Sequence, residues 1–200
     1  MNSIDMWNSF VESHNKTHPV DAAQLNAPAT QSDFVAFKNQ TNLDFPSSLK
    51  PIYEVNNGQK DGTGLFFGLE FLSINEIVRQ WQSWNDTYQE ELDGTLENMS
   101  ESCTSFPPQA IKIAYSNPKW IPFSYDYSGN HIGIDLDPDV AGKVGQVINF
   151  GTDEEDKVVI AENFEDYLQQ CLAVYATENL YEKLENSDYM NYLRKQFGEK

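Results

Sequence analysis

The chain has few of the features that tie a protein to an oxidising compartment or to a membrane. Its 200 residues contain 2 cysteines, Cys103 and Cys171, which lie far apart and outside any Cys-x-x-Cys arrangement, so reduced thiols are expected. Residues 1–7 lack a basic head followed by an apolar run, and no later segment approaches the ~18 uninterrupted apolar residues of a membrane span. The sequence therefore predicts a cytoplasmic protein without a membrane partner.

Basic residues are also scarce. The chain has 13 Lys and Arg against 31 Asp and Glu, which gives a formal charge of −18. This charge repels phosphate backbones, so nucleic acid is not expected as a partner. Between Lys60 and Lys112 the one basic residue is Arg79. The asymmetry favours a basic protein partner, although a high net charge also serves solubility.

The aromatic and aliphatic content is sufficient for one core. Hydrophobic residues make up 40% of the chain and include 12 Phe, 10 Tyr and 4 Trp, so the chain is expected to fold alone. A length of 200 residues fits one domain with decorated ends better than two domains. We place an N-terminal helix and connector at residues 1–29, the domain at 30–176 and a C-terminal helical extension at 177–200.

Residues 120–150 organise the predicted fold. Gly129 and Asn130 supply a two-residue turn between two strands, and a third strand is expected at 146–150. In the second strand, 131–136, apolar residues alternate with His131, Gly133 and Asp135, which predicts one buried face and one polar face. Trp120 should belong to the core.

Other segments have the signals of further helices and strands. The expected helices are 3–14, a short one around 34–37, one capped by Ser47, one from Ser73 towards Leu92 and one capped by Asn163. The expected strands are 65–72, 110–115 and 158–160, with a long loop at 94–109. Trp81 and Trp84 are interpreted as core or half-buried edge residues, with a binding platform as the alternative. Together these elements predict an α+β fold with a mostly antiparallel sheet flanked by helices.

The chemical motifs in the chain do not complete a known site. Asp135, Asp137 and Asp139 have the spacing of a calcium loop, but Val140 stands where the loop needs Gly and Gln146 where it needs Glu. His14 and His18 lack converging ligands, and no nucleophile is placed beside His131. No catalytic residue, metal or cofactor is therefore expected.

Several motifs in residues 120–150 together resemble a known family. Trp-Ile-Pro-Phe at 120–123, Gly-Asn at 129–130, Ile-Asp-Leu-Asp-Pro at 134–138 and Gly-Gln-Val-Ile at 145–148 follow the order of the central signature of the Smi/Knr family of the SUKH superfamily. Asn-Asn-Gly at 56–58 and Phe-Phe-Gly-Leu at 66–69 also fit that order, and the similarity spans about 34–172. The resemblance implies an α+β binding domain without catalysis, of the kind found in bacterial toxin-immunity proteins and fungal cell-wall regulators.

Two binding functions follow from this resemblance. The favoured expectation is an immunity protein that neutralises a basic toxin domain by direct binding, since complementary charge speeds encounter. The alternative is a regulatory scaffold of the cell wall assembly type, and an enzyme with a clustered-Asp site is less favoured. The partner surface is placed on two acidic groups. The first acidic group is Asp135, Asp137 and Asp139, and the second acidic group is Asp153, Glu154, Glu155 and Asp156. A competing patch is the acidic helix and loop at 70–101.

Overall fold

The structure is a computed structural model, and it describes residues 2–62, 64–177, 184 and 189–198. The α-helices among these residues are α1 Ser3–Thr17, α2 Gln31–Thr41, α3 Lys50–Tyr53, α4 Ile74–Asp93, α5 Phe164–Ala176 and α6 Tyr189–Phe197. The strands are β1 Gln24–Leu25, β2 Gln59–Asp61, β3 Glu70–Phe71, β4 Thr104–Phe106, β5 Trp120–Pro122, β6 Ser124–Tyr125, β7 Asn130–Asp135, β8 Gln146–Gly151 and β9 Asp156–Ala161. A 3₁₀ helix, Met99–Ser102, precedes β4.

The principal sheet has five strands in the order β4-β9-β8-β7-β5. All of its neighbouring pairs are antiparallel except β4 and β9, which are parallel. Two small antiparallel pairs, β1 with β2 and β3 with β6, lie outside it. This architecture confirms the expected α+β class with a mostly antiparallel sheet.

Local capping signals explain where the two best-defined helices begin. The Ser73 hydroxyl accepts a hydrogen bond from the Glu76 N–H at 3.3 Å and caps α4, which ends at Gly94 in the left-handed region. The Asn163 side chain accepts from the Asp166 N–H at 2.9 Å and caps α5. Both starts are as expected. The cap expected at Ser47 is wrong, because α3 begins at Lys50 with Leu49 at its cap position.

The two faces of the principal sheet differ in composition. We call the side of Ile132, Ile134 and Val147 the aliphatic face, which joins the main hydrophobic core. We call the side of His131, Asp135, Phe150 and Trp120 the polar face, since strand register pairs His131 with Phe150 and Asp135 with both Gln146 and Trp120. All of β7 is buried, so the expectation that one of its faces is solvated is wrong.

The aliphatic face is covered by helices and by a dense group of aromatic rings. Trp7 and Phe10 of α1 are fully buried, and both lie against Phe66. Phe66 also contacts Phe123 and the α5 residue Tyr167, at ring-centroid distances of 5.4 and 5.6 Å. The N-terminal helix therefore shares the core of the domain and completes its packing.

The segment expected to be a strand at 65–72 folds differently. Phe67 and Gly68 have positive φ values of 55° and 98°, and the Phe66 N–H donates to the Leu69 carbonyl at 3.0 Å. The chain therefore turns tightly, and only Glu70–Phe71 form strand β3. The apolar run reflects burial in the core instead of extended backbone.

Three further expectations are corrected around the sheet. Residues 110–115 are not a strand, and the real strand is β4, inside the stretch expected to be a loop. The reversal before β7 uses 126–129 instead of a Gly129-Asn130 turn. Asp126 Oδ1 accepts from the N–H groups of Ser128 and Asn130, at 2.7 and 2.9 Å, so Asn130 begins the strand.

The C-terminal extension is described in part. In α6, Tyr189, Met190 and Leu193 are buried in the main core, and the helix packs on β9. Residues 178–183, 185–188 and 199–200 lie outside the described residues. Of the helices that are described, none combines the length and the apolar character that a membrane span requires.

Candidate functional site

The two acidic groups lie at opposite ends of strand β8. Asp135 pairs with Gln146 where β8 begins, and Asn130 pairs with Gly151 where it ends, just before the second acidic group. A strand of six residues spans roughly 20 Å. The two groups therefore form separate surfaces.

Asp135 in the first acidic group is an interior residue. It is fully buried, accepts a hydrogen bond from Gln146 Nε2 at 2.8 Å, and accepts another from the Asp137 N–H at 2.8 Å. Burial raises the pKa of Asp135 to about 6. Its carboxyl group links β7 to β8 and to the loop that follows, and it is not presented to a partner.

The other two members of the first acidic group reach the surface, but one is already paired. Asp137 lies 2.8 Å from Lys112 Nζ and 3.5 Å from Lys119 Nζ. Partial burial raises the Asp137 pKa, yet hydrogen bonds from Lys112 and Asn117 and the two lysine charges together lower it. Asp139 is half-buried and accepts a hydrogen bond from the Val140 N–H at 2.8 Å. Within this group, Asp137 is the member whose charge is compensated by lysines.

The second acidic group is divided between the interior and the surface. Glu154 is fully buried, where Asn149 Nδ2 and the α6 residue Arg194 donate to its carboxylate. Asp153 and Asp156 are exposed, and Glu155 is half-buried. Glu154 therefore connects α6 to the end of β8 through its hydrogen bond with Arg194. Asp153, Glu155 and Asp156 present negative charge to solvent. Of the seven residues assigned to the partner surface, five are at the surface, and their role in binding stays a prediction.

A cleft opens beside the second acidic group, and we call it the aromatic cleft. Its volume is about 410 Å³. It is formed by one side of α4, the loops on either side of the 3₁₀ helix, β6 and the turn after β8. The lining residues are Gln80, Ser83, Trp84, Thr87, Glu90, Leu96, Met99, Tyr115, Tyr125, Gly129 and Thr152.

Three aromatic rings form the walls of this cleft. Trp84 and Tyr115 meet at 5.5 Å with an interplanar angle of 66°, and the Tyr115 hydroxyl donates to the Thr152 carbonyl at 3.4 Å. Tyr125 stacks on His131 at 5.1 Å with an interplanar angle of 19°. Trp84 and Tyr125 are both half-buried, so their rings are partly accessible from the cleft.

Carboxylate side chains lie at the aromatic cleft and act on its walls. Glu90 lines it and is exposed. Burial and then the charges of Glu155 and Asp153, with a smaller contribution from Glu91, raise the pKa of Tyr115. Those carboxylates therefore lie near the Tyr115 wall. Sequence reasoning treated the second acidic group and the acidic helix as competing patches. Glu90 of the helix lines the cleft, and Asp153 and Glu155 of the second acidic group act on its Tyr115 wall.

His131 lies directly behind the aromatic walls. It is fully buried against Tyr125, Phe150 and Trp84, and its Nδ1 is 2.8 Å from the Ser124 carbonyl, so Nδ1 carries the proton and donates. Nε2 has no hydrogen-bond partner among the described residues. Burial lowers the His131 pKa to about 4, so the ring is neutral near pH 7.

The described residues offer no constellation for a metal. No three His, Cys, Asp or Glu side chains converge as ligands in the part of the chain that the structure describes. Cys103 and Cys171 are buried and do not form a disulfide bond. His14 Nδ1 lies 3.1 Å from the Tyr175 hydroxyl, so His14 belongs to the contact between α1 and α5, and the His18 ring lies 4.5 Å from the His14 ring.

The fold and the cleft define a class: an α+β domain with a mixed five-stranded sheet and an acidic, aromatic cleft on its surface. The chain belongs to the SMI1 / KNR4 family (SUKH-1), which matches residues 28–170. This finding confirms the family that the sequence motifs indicate.

Several fungal relatives match most of this chain. The cell wall assembly regulator SMI1 of Saccharomyces cerevisiae is 32% identical over 219 residues, covering 94% of this chain and 42% of that protein. The cell wall biosynthesis/cell cycle regulator smi1 of Schizosaccharomyces pombe is 34% identical over 164 residues, covering 78% and 32%. The glucan synthesis regulatory protein of Neurospora crassa is 28% identical over 195 residues, covering 82% and 36%. The chain thus spans less than half the length of these relatives.

Sequence reasoning missed the aromatic cleft. Its walls come from α4, from an irregular segment and from β6, and no motif links Trp84, Tyr115 and Tyr125. One signal was available: Trp84 lies six residues before Glu90 on a helix with no basic residue after Arg79. The alternative interpretation of Trp84 as part of a binding platform was the prediction that came nearest to this cleft.

Proposed function

We propose that this chain is the regulatory binding domain of a cell wall assembly regulator, and that it acts by contact with protein partners and not by catalysis. The observation that carries the proposal is the match to named cell wall and glucan synthesis regulators over 78 to 94% of this chain. The proposed place of action is the cytoplasm.

The charge of the chain supports a basic protein as the partner. A formal charge of −18 speeds encounter with a basic surface and opposes binding to phosphate backbones or anionic lipid. Glu90 lines the aromatic cleft and the charges of Glu155 and Asp153 act on its Tyr115 wall, whereas Asp137 of the first acidic group is paired with Lys112 and Lys119. We therefore assign the partner surface to the cleft and its rim.

Neutralisation of a toxin domain is the other function that the family resemblance implies. The matched relatives have regulator names, so they support the regulatory alternative better than the immunity function. Both functions use direct protein binding, and they differ in the partner.

A replacement experiment in Saccharomyces cerevisiae tests this proposal. The region of SMI1 that aligns with this chain is deleted in one strain and replaced by this chain in a second strain, and cell wall glucan is measured in both. We expect the replacement to restore the glucan content of the deletion strain towards that of unmodified cells. A replacement strain that is indistinguishable from the deletion strain, at equal protein abundance, would contradict the proposal.

A further inference from the structure

We propose that the aromatic cleft binds an arginine side chain on a basic segment of the partner. The inference rests on the proposed function, because that function supplies a protein as the ligand. It commits the site to one kind of contact, in which a guanidinium group stacks on the cleft walls while the acidic rim compensates its charge.

The size and lining of the cleft suit a long, partly apolar side chain. A volume of about 410 Å³ lies within the range of roughly 300 to 1,000 Å³ that is usual for ligand sites. Leu96 and Met99 offer apolar contacts for the methylene stem, and Trp84 and Tyr125 offer ring surface for a planar group.

The walls are held in place before any ligand arrives. Tyr125 is stacked on His131, and Trp84 meets His131 and Phe150 edge to face, both at 6.4 Å. Because these rings are fixed by packing, little side-chain entropy is lost on binding. The neutral His131 ring also places no positive charge behind the walls to repel a cation.

The charge around the cleft selects a cation. Glu90 lines the cleft, and Glu91, Asp153 and Glu155 act on the Tyr115 wall. Among the described residues that line the cleft, none is Lys or Arg. An incoming cation therefore meets carboxylates without displacing a resident positive group, and a neutral ligand would leave the rim uncompensated.

Backbone strain marks the same place. Tyr127 is 66% exposed with a φ of 66°, and its ring lies 5.3 Å from Tyr125. Bulky residues rarely adopt positive φ, and such strain concentrates at functional sites. Tyr127 thus adjoins Tyr125, which is one wall of the cleft.

Arginine fits this arrangement better than lysine. A guanidinium group is planar, stacks on aromatic faces and donates two parallel hydrogen bonds to a carboxylate, whereas an ammonium group is a compact and strongly hydrated charge. A site with both rings and carboxylates uses each of these properties. A site that was merely acidic would bind the two cations equally.

Calorimetric titration with three matched peptides tests the proposal. The probes are acetylated peptides of sequence Gly-Gly-X-X-Gly-Gly with a C-terminal amide, in which X is arginine, lysine or the neutral analogue citrulline. We expect the arginine peptide to bind about fivefold more tightly than the lysine peptide, and the citrulline peptide not to bind. Equal affinity for the arginine and lysine peptides, or no binding of the arginine peptide, would overturn the proposal.

Two variants of α4 and a matched control locate the binding. Trp84→Leu should weaken the arginine peptide by about tenfold, as loss of an aromatic anchor does, and Glu90→Gln by a smaller factor. Asp86→Asn makes the same charge change on α4 but lines a different pocket, and it should leave the affinity unchanged. Equal weakening by Glu90→Gln and Asp86→Asn would show attraction by net charge alone and would overturn the proposal. Because Glu90 is exposed, its variant tests the cleft even if Trp84→Leu is destabilised.

The failure of this inference is distinguishable from the failure of the proposed function. If this chain restores cell wall glucan and the double variant Trp84→Leu with Glu90→Gln restores it equally, the cleft proposal fails and the regulatory function stands. If the unmodified chain does not restore glucan, the regulatory function fails, whereas the peptide titration still decides what the cleft binds.

Discussion

The two faces of the principal sheet use the same strands but bury different chemistry. The aliphatic face joins a core of branched and aromatic residues under α1 and α5. The polar face buries His131, Asp135 and Lys157 beside Trp120 and Phe150, beneath the irregular segment that contains Ala110 and Ile111. The aliphatic face is closed by regular helices, whereas the polar face is closed by Trp84 of α4 together with a chain segment with little secondary structure.

This difference bears on function. The aromatic cleft lies where α4 and the irregular cover of the polar face, within residues 94–115, meet. Buried polar groups raise the energetic cost of any misplacement, because each of them needs its partner. We therefore expect substitutions on the polar face to show separately how packing, protonation and ion pairing contribute to the free energy of unfolding.

The largest expected effect is the removal of the Trp120 ring. Trp120 is 2% exposed, lies 5.6 Å from the Phe150 ring, and has Lys157 Nζ 5.4 Å above it. We expect Trp120→Ala to lower the free energy of unfolding by about 3 to 5 kcal/mol, as measured by denaturant unfolding. Phe123→Ala on the aliphatic face is the matched control, with a cost in the same range. A loss below about 1 kcal/mol for Trp120→Ala would show that the polar face adds little stability.

The second prediction concerns the proton uptake of His131. Because burial lowers its pKa to about 4, the unfolded chain takes up a proton at higher pH than the folded one does. The His131 contribution to stability is therefore complete above about pH 6.5 and is lost as the pH falls towards 4. Relative to His131→Phe, the wild-type protein should lose about 3 kcal/mol between pH 7 and pH 4.

The pH dependence of stability that Asp135 contributes has the opposite sign to that of His131 over part of this range. The folded pKa of Asp135 is raised to about 6, so its contribution falls as the pH rises from about 4 to 6. The difference between wild type and His131→Phe removes this background, because both proteins contain Asp135. Parallel stability curves for the two proteins from pH 7 to 4 would contradict a buried, neutral His131.

The aliphatic face could be predicted from the sequence, but the polar face could not. Alternation in β7 indicated that Ile132 and Ile134 are buried, and it says nothing about a second cover on the other side. Asp135 was assigned to a partner surface and His131 to a polar strand face, and the segment that covers them was misread, because 110–115 was predicted as a strand and is irregular. The burial of the polar face is determined by tertiary contacts and not by the local sequence pattern.

The candidate site was predictable to a similar extent. The acidic character of the two groups is read directly from the sequence. Their separation followed from the predicted order of the strands. The burial of Glu154 depends on Arg194, which is 40 residues further along the chain, and the cleft depends on three distant aromatic residues. Contacts at such separations leave no local pattern in a single sequence.

The third prediction concerns Lys157, a buried cation on the polar face. Its ammonium group donates to the Glu154 carbonyl at 2.8 Å and lies 3.6 Å from Cys103 Sγ, and burial lowers its pKa. An apolar side chain of similar size avoids the cost of burying a charge, which offsets the lost hydrogen bond. We expect Lys157→Met to change the free energy of unfolding by less than about 1.5 kcal/mol, as measured by denaturant unfolding. Lys157→Ala serves as the control and should cost more, because it leaves a cavity.

The smallest expected effect lies at the rim of the polar face, where Asp137 pairs with Lys112 and Lys119. Unlike the buried Asp135, this carboxylate is a quarter exposed, so water and salt screen its ion pairs. We expect Asp137→Asn to lower the free energy of unfolding by less than about 1 kcal/mol. Because the folded pKa of Asp137 is lowered, this contribution is present above the unfolded pKa of about 4 and is lost as the pH falls through the folded value.

A double-mutant cycle isolates this pair from the rest of the surface. The coupling free energy between Asp137→Asn and Lys112→Met should be small at low salt and should shrink further at 1 M salt. A large coupling that does not respond to salt would mean that Asp137 behaves like a buried charge, as Asp135 does. In that case Asp137, two residues after Asp135, would belong to the buried polar face and not to its solvated rim.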